Sequence, residues 1–574
     1  MRRLGLFLPL ILSSLAYGQS IGDFFKQAFD ERLRDNPQIA TGVGRHDYDD
    51  RWTDLSKAGI SQRRAHIEQR LKQLSAFPVA SLSAQDRLTV RLLEYSWRRT
   101  LEAEDLQTHL LQVGQQSGFH NGVYSLIDRM PARRVRDYEN ILARLNALPA
   151  LVDQRIGIMD ESLDRGLTQP RVVVDLVAAQ LAAQIQQDRD TTPLLAAFRR
   201  FPSNIPQAEQ SRLKTQAVEA YEKRFLPTWR KLRDYITGKY ASKARPAIGL
   251  GSLPGGREAY ALLIRFATTT TMTAEEIHKL GLDEVKRIEV EMQAVMKEAG
   301  FTGTVEEFDR RIASLPEQHF RDKDEMLAYC RNIAMIIEPK LPNQFRTIPM
   351  LLYGIRAIPA DREAATASNA QPPSPDYTTP GWFNLNTYQP ERQLKYEKEA
   401  LVLHEAVPGH IFQITLAQAL QDLPEIRRFS SNTAYSEGWA LYAESLGSQL
   451  GVYRDPYGRF GQLSSERFRA VRLVVDTGIH ALGWTRDQTI AYFHEHAPSA
   501  SLAEVDRYIS WPGQALAYKI GQLKVRQLRT LAEQRLGPKF DVREFHDVVL
   551  RNGPLPLEML DEQVQEYLQA ASSR

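Results

Sequence analysis

The sequence predicts a mainly α-helical protein that carries one small β-sheet, and three observations lead there. Apolar residues recur at intervals of three and four from Ile21 to about Lys243, and the same period returns from Leu394 almost to the end. Between them, prolines punctuate the stretch from Phe345 to Tyr388 and leave short β-like pieces. The 574 residues are 43% hydrophobic and 25% charged, which excludes disorder, collagen and disulfide scaffolds and gives enough apolar mass for an extensive core.

At the N-terminus, Arg2 and Arg3 precede an apolar run from Leu4 to Leu15 closed by Ala16-Tyr17-Gly18. This is the pattern of a secretory signal peptide over residues 1–18, with cleavage after Gly18 and a periplasmic or secreted mature chain beginning at Gln19. The run is too short to span a bilayer, and no later segment approaches the roughly 20 apolar residues a membrane helix needs, so no membrane anchor is expected after cleavage. No cysteine follows the cleavage site, which argues against a lipid anchor, and Cys330 as the single thiol excludes an internal disulfide or a cysteine-based zinc site. Without Arg2 and Arg3 the positive excess falls to one charge, and nucleic acid is not an expected partner.

Residues 19–245 read as an N-terminal helical lobe, for example through Ile141, Leu142, Leu145, Leu148, Leu151, Ile156 and Met159. A break at Pro246 to Arg257 opens the second region, 246–574. Its cluster of Gly249, Gly251, Gly255 and Gly256 lacks the Gly-Lys-Ser/Thr ending of a phosphate loop and reads as a turn or a substrate-facing loop. Thr273 with Glu276 forms a capping box for a helix running to about Glu298 and ended by Gly300, with His278 inside it as a structural residue. Met350–Tyr353 and Trp382–Thr387 are the strand-like pieces. The latter, with Asn384 and Asn386, is expected to lie along a cleft and pair with a substrate backbone.

The chemistry concentrates in Leu401-Val402-Leu403-His404-Glu405-Ala406-Val407-Pro408-Gly409-His410. Zinc hydrolysis needs two neutral imidazoles as ligands and a carboxylate beside the metal to take a proton from water. His404 and His410 are six positions apart, which on an unbroken helix of 3.6 residues per turn sets them about 120° from each other, too far round to share a metal. Pro408 and Gly409 force a break at that point. Two residues looped out would bring His410 back over His404, with the freed backbone groups facing the site. The alternative is a plain helix end with two unrelated polar residues. A third ligand is expected from a following helix, where Glu437 is suitably placed. Gly438 would let that helix approach the metal, and Glu444, seven residues on and so on the same face, would orient an imidazole.

Four strings together resemble the signatures of the bacterial domain-of-unknown-function 885 family: His404-Glu405-Ala406-Val407-Pro408-Gly409-His410, Glu437 to Glu444, Val474 to Trp484, and Trp511 to Gly521. Arg51 to Ser56 and Glu275 to Gly281 extend the resemblance over nearly the whole mature chain. The family is grouped with thermolysin-like zinc peptidases whose third ligand is glutamate, which implies a mostly helical fold around a deep cleft, one zinc ion per chain, and hydrolysis of a peptide or other small amide. Many members carry two histidines after the Pro-Gly, whereas in this chain His410 is followed by Ile411, so only His410 remains as the second ligand.

The expected roles are then His404, His410 and Glu437 as zinc ligands, Glu405 as general base, and Glu444 and Gln413 as residues that support the ligands. His480, Tyr508 and Tyr518 are candidates to stabilise the oxyanion, and Arg507 to hold a substrate carboxylate. Two other readings stay open: a zinc hydrolase of a non-peptide amide or ester, and a metal-free helical binding protein on a peptidase scaffold.

Overall fold

The computed structural model describes residues 20–573 apart from 112, 117, 361–362, 364–365, 376 and 499–500, so the expected signal segment lies outside the described residues. Helices Val135–Asn146, Leu148–Asp164, Arg171–Ile185, Gln207–Ala220 and Leu226–Tyr235 surround a core that includes Tyr138, Ile141, Leu145 and Trp229. The first helix, Ile21–Asp35, is capped by the Ser20 hydroxyl and buries Phe24, Phe25 and Phe29 with Leu93 and Ile426. Leu88 and Leu92 share a core with Val402, Trp439 and Leu560, and Val173 shares one with Val475 and Ile479. Apolar faces of the first half are thus buried on the second.

The capping box at Thr273 forms as the sequence predicts. Thr273 Oγ1 accepts from the Glu276 amide at 3.2 Å while the Glu276 carboxylate accepts from the Thr273 amide at 2.8 Å. The helix runs Ala274–Glu298, and Gly300 ends it at φ +70°. It packs along the equally long helix Pro456–His480, where His278 Nδ1 lies 2.9 Å from Thr477 Oγ1. A second long pairing joins Thr433–Glu444 to Leu516–Leu536.

The sheet has three strands, β1 (Tyr353–Ala357), β2 (Asn369–Gln371) and β3 (Gly381–Leu385), in the order β1-β3-β2. β1 runs parallel to β3 in a register that starts at Tyr353 opposite Gly381, so Met350 and Leu352, expected in a strand, precede it and are exposed. β3 alternates buried and half-buried residues and pairs on both edges. Its backbone groups are consumed by β1 and β2, which corrects the expectation that Trp382–Thr387 offers a free edge to a substrate. The helix His410–Ala419 packs on β2 and β3.

Candidate metal centre

The helix that begins at Lys395 stops at Glu405, and a new one starts at His410. Four residues, Ala406 to Gly409, make the junction instead of two. Ala406 and Gly409 leave helical geometry at ψ −97° and −131°, and the Phe412 amide reaches back to the Ala406 carbonyl at 3.2 Å. A Cβ on Gly409 would overlap the carbonyl oxygens of Leu403 and His404, so only glycine lets the chain fold back this tightly. The Pro408 carbonyl does not face the site as expected. It accepts a 2.8 Å hydrogen bond from the Trp439 indole, which ties the junction to the helix bearing Glu437.

The junction crosses the two imidazoles at 88° with their centroids 4.9 Å apart. Glu437 Oε2 lies 3.7 Å from His404 Nε2 and 3.2 Å from His410 Nε2, and one ligand atom from each of the three residues falls within a 4.8 Å group. Two ligands each about 2.0 Å from a shared zinc ion sit roughly 3.3 Å apart at the tetrahedral angle. The oxygen that faces both rings is buried and satisfied by no protein hydrogen bond among the described residues. The geometry is that of three donors aimed at a point between them, and two imidazoles with one carboxylate suit zinc.

Behind this group, Glu444 is fully buried and its Oε1 lies 2.8 Å from His404 Nδ1. With that nitrogen protonated, His404 Nε2 presents its lone pair to the cluster. Burial by itself would lower the His404 pKa, but the carboxylates of Glu437, Glu444 and Glu405 raise it to about 9. The Glu437 pKa is held far below its ordinary value by His410 and His404, against the effect of burial. Three carboxylates around one ring make the pocket ready for a cation. Burial raises the pKa of Glu405, whose carboxylate has no protein hydrogen bond or ion pair among the described residues. Gln413 is buried beyond His410, and no hydrogen bond joins it to either imidazole.

Gly438 has a different task from the one expected. A Cβ there would strike the backbone of Gly521, and one on Gly521 would strike Ala434 and Gly438, so the pair sets the spacing between helices rather than between helix and metal. That close contact brings Tyr518, on the second helix, to stack over His404 with centroids 6.2 Å apart and planes 15° apart. Arg507 donates to the Tyr518 oxygen at 3.2 Å and to Gln514 at 2.7 Å, which leaves the phenolic hydrogen for another acceptor. Arg472, not anticipated from the sequence, lies with its guanidinium 4.6 Å from the Tyr518 ring centre. Its signal was available: Arg472 and Asp476 are charges inside an apolar run, and both are buried.

Two of the oxyanion candidates are committed elsewhere. Tyr508 donates to Glu504 at 2.9 Å and accepts from Arg472 at 3.0 Å. His480 is completely buried, accepts from the Leu250 amide through Nδ1 at 3.1 Å, and donates through Nε2 to the Tyr508 carbonyl at 2.9 Å. Burial lowers its pKa to about 3, so it stays neutral and fully bonded. The glycine-rich turn is the other half of that arrangement, since a Cβ on Gly249 or Gly251 would collide with the carbonyls of Ile479 and His480. The turn therefore packs against the end of a helix and is not a substrate-facing loop. Asn386 Nδ2 donates to the carbonyls of Glu363 and Thr366, and Asn384 bridges Arg356 and Asn369, so both shape the strand surroundings and neither is free for substrate. Asp476 accepts from Tyr260 at 2.6 Å and from the Gly513 amide at 3.0 Å, which anchors the loop leading to Tyr518.

Among curated proteins nothing matches the chain. Among solved structures, a candidate lipoprotein from Colwellia psychrerythraea is similar over 96% of this chain and 99% of its own, at 27% identity and a TM-score of 0.90. A candidate lipoprotein of unknown function from Shewanella oneidensis shares the fold over 96% of this chain and all of its own, at 20% identity and a TM-score of 0.73. The motif strings that build the cluster lie within residues 37–564, which match the model of the bacterial proteins of unknown function called DUF885, and the chain belongs to that family.

Proposed function

We propose that the chain is an exported zinc-dependent peptidase of the thermolysin-like class, in which His404, His410 and Glu437 hold the metal. The observation that carries this is the buried Glu437 oxygen left without a protein hydrogen bond between two imidazoles, beside the Glu405 carboxylate. Zinc, when bound there, supplies Lewis acidity that makes water nucleophilic near neutral pH and polarises the scissile carbonyl. Glu405 accepts the proton of the attacking water and passes it to the leaving nitrogen. Tyr518 donates its free O–H to the carbonyl oxygen as negative charge grows there, with Arg507 fixing the phenol from the other side. Glu444 holds the His404 ring in the tautomer that ligation requires. Export is supported by the leader-like start of the sequence and by the two similar structures described as candidate lipoproteins. No helix among the described residues is long and apolar enough to cross a membrane.

Metal analysis of the purified chain tests this directly. About one zinc per chain is expected, falling to near zero in His410→Ala, because a structural or catalytic zinc needs its full protein ligand set. Equal metal content in the two proteins would remove the site. Glu444→Ala is expected to keep the fold and weaken zinc affinity about 10- to 100-fold, read by competition with a chelator. An unchanged affinity would mean that Glu444 takes no part in orienting His404 toward the metal.

A further inference from the structure

A cavity of about 520 Å³ lies between the first helices of the chain and the segments around Asn432 and Pro556, and its lining does not include His404, His410 or Glu437. Its volume is in the range of small-molecule sites. Its charges do not balance. Every acid on its wall is already paired: Glu31 takes Arg70 in a two-pronged contact at 3.0 and 3.2 Å, Asp35 takes His66 at 2.6 Å, and Glu104 takes Arg64 at 3.5 Å. Arg32, Arg63 and Arg99 on the same wall have no carboxylate within ion-pair distance among the described residues. Arg63 reaches only the Asp54 carbonyl, and the Arg32 guanidinium has no hydrogen bond at all among the described residues.

Half-buried guanidinium groups without an ion-pair contact are costly, and burial lowers the pKa of all three, although Asp35, Asp54 and Glu104 act on Arg63 and Glu102 on Arg99 from further away. Arg99 cannot relieve that cost by swinging out. Its guanidinium is held between the Phe266 and Tyr95 rings, 4.1 and 4.7 Å from their centres, with Nε and Nη2 buried and unpartnered. It acts as a fixed positive charge in the wall, while Arg32 and Arg63 are the groups able to touch a ligand. Across the cavity, Asn432 and Thr433 begin the helix that presents Glu437 one turn later, about 6 Å along its axis.

We infer that this cavity is a binding site for a small ligand bearing a carboxylate or phosphate group, which Arg32 and Arg63 clamp by charge-assisted hydrogen bonds. The site does not depend on metal at His404. The ligand supplies Arg32 with the counter-charge the fold omits, and Ile39, Ile67 and Ile426 on the wall accommodate its apolar part.

Calorimetric titration of the full-length mature protein at low ionic strength tests this with three probes: the tripeptide Ala-Ala-Phe as free acid, its C-terminal amide, and inorganic phosphate. Binding of the free acid, with the amide about 10- to 100-fold weaker, identifies a carboxylate ligand. Binding of phosphate without the tripeptide acid identifies a phosphate-bearing one. In either case Arg32→Met is expected to weaken binding by about 10- to 100-fold, Arg32→Lys by less, and Arg32→Met with Arg63→Met to abolish it. The unliganded Arg32→Met protein is expected to melt no lower than the parent, since no partner is orphaned, which separates a ligand-binding arginine from a structural one. The inference is overturned if neither anion binds, if binding survives the double substitution, or if Arg32→Met lowers the melting temperature of the unliganded protein.

Discussion

Glu405→Gln is expected to keep zinc at the level of the parent and to lose peptide hydrolysis by about 10²- to 10⁴-fold or more. The substitution keeps the size of the side chain and leaves His404, His410 and Glu437 untouched, but an amide cannot accept and return a proton. The geometry makes the test clean. The Glu405 carboxylate has no protein hydrogen bond or close ion pair among the described residues, so its replacement breaks no structural hydrogen bond and should leave the melting temperature close to that of the parent. Substrate affinity should change little, placing the loss in kcat. Measurement of zinc content, melting temperature and turnover in one preparation separates the outcomes. Retained turnover would remove Glu405 as the base, whereas loss of zinc would show that it supports ligation.

Lys519→Met is expected to destabilise the fold by about 3–5 kcal/mol, by breaking a buried charge network. Lys519 is completely buried and its ammonium group donates to Glu466 at 2.7 Å and Gln522 at 2.8 Å, with Glu284 2.9 Å away. Arg287 and Arg526 also reach Glu466, at 2.6 and 3.0 Å. These three cations hold the Glu466 pKa far below its ordinary value despite burial. Methionine matches the stem of lysine but leaves Glu466 and Glu284 in the interior with Arg287 and Arg526 as their remaining cations. A urea unfolding curve reads the loss, and Glu466→Gln added to Lys519→Met should recover part of it. A loss below about 1 kcal/mol would mean that the arginines alone balance the two glutamates. Because Lys519 follows Tyr518, the same network fixes the register of the helix that brings the phenol over His404.

The sequence made the convergence of His404, His410 and Glu437 legible because these residue types are chemically specific and because Pro408 and Gly409 announce the break that a six-residue spacing demands. The capping box at Thr273 was equally local, and so was the proline-punctuated sheet. What could not be read were roles decided by distant partners. His480 is occupied by Leu250 and Tyr508, 230 and 28 residues away, and a buried histidine with both nitrogens spent looks no different in sequence from one facing a cleft. Gly438 was read against the nearest chemical landmark, while its actual neighbour is Gly521. Asn386 belongs to a loop whose course the helical and strand periods do not describe. The arginine-lined cavity was invisible for the same reason, since its charges come from separate helices and their imbalance exists only after folding.

The junction from Ala406 to Gly409 changes how proteins with this geometry are to be found. The two histidines stand at the end of one helix and the start of the next, so the number of residues between them is a property of the connecting turn. A search pattern written for two histidines on one continuous helix passes over this chain. One that instead asks for a histidine-glutamate helix end, a turn whose glycine no side chain can replace, a tryptophan that caps its carbonyl and a glutamate on that tryptophan's own helix retrieves the arrangement whatever the spacing.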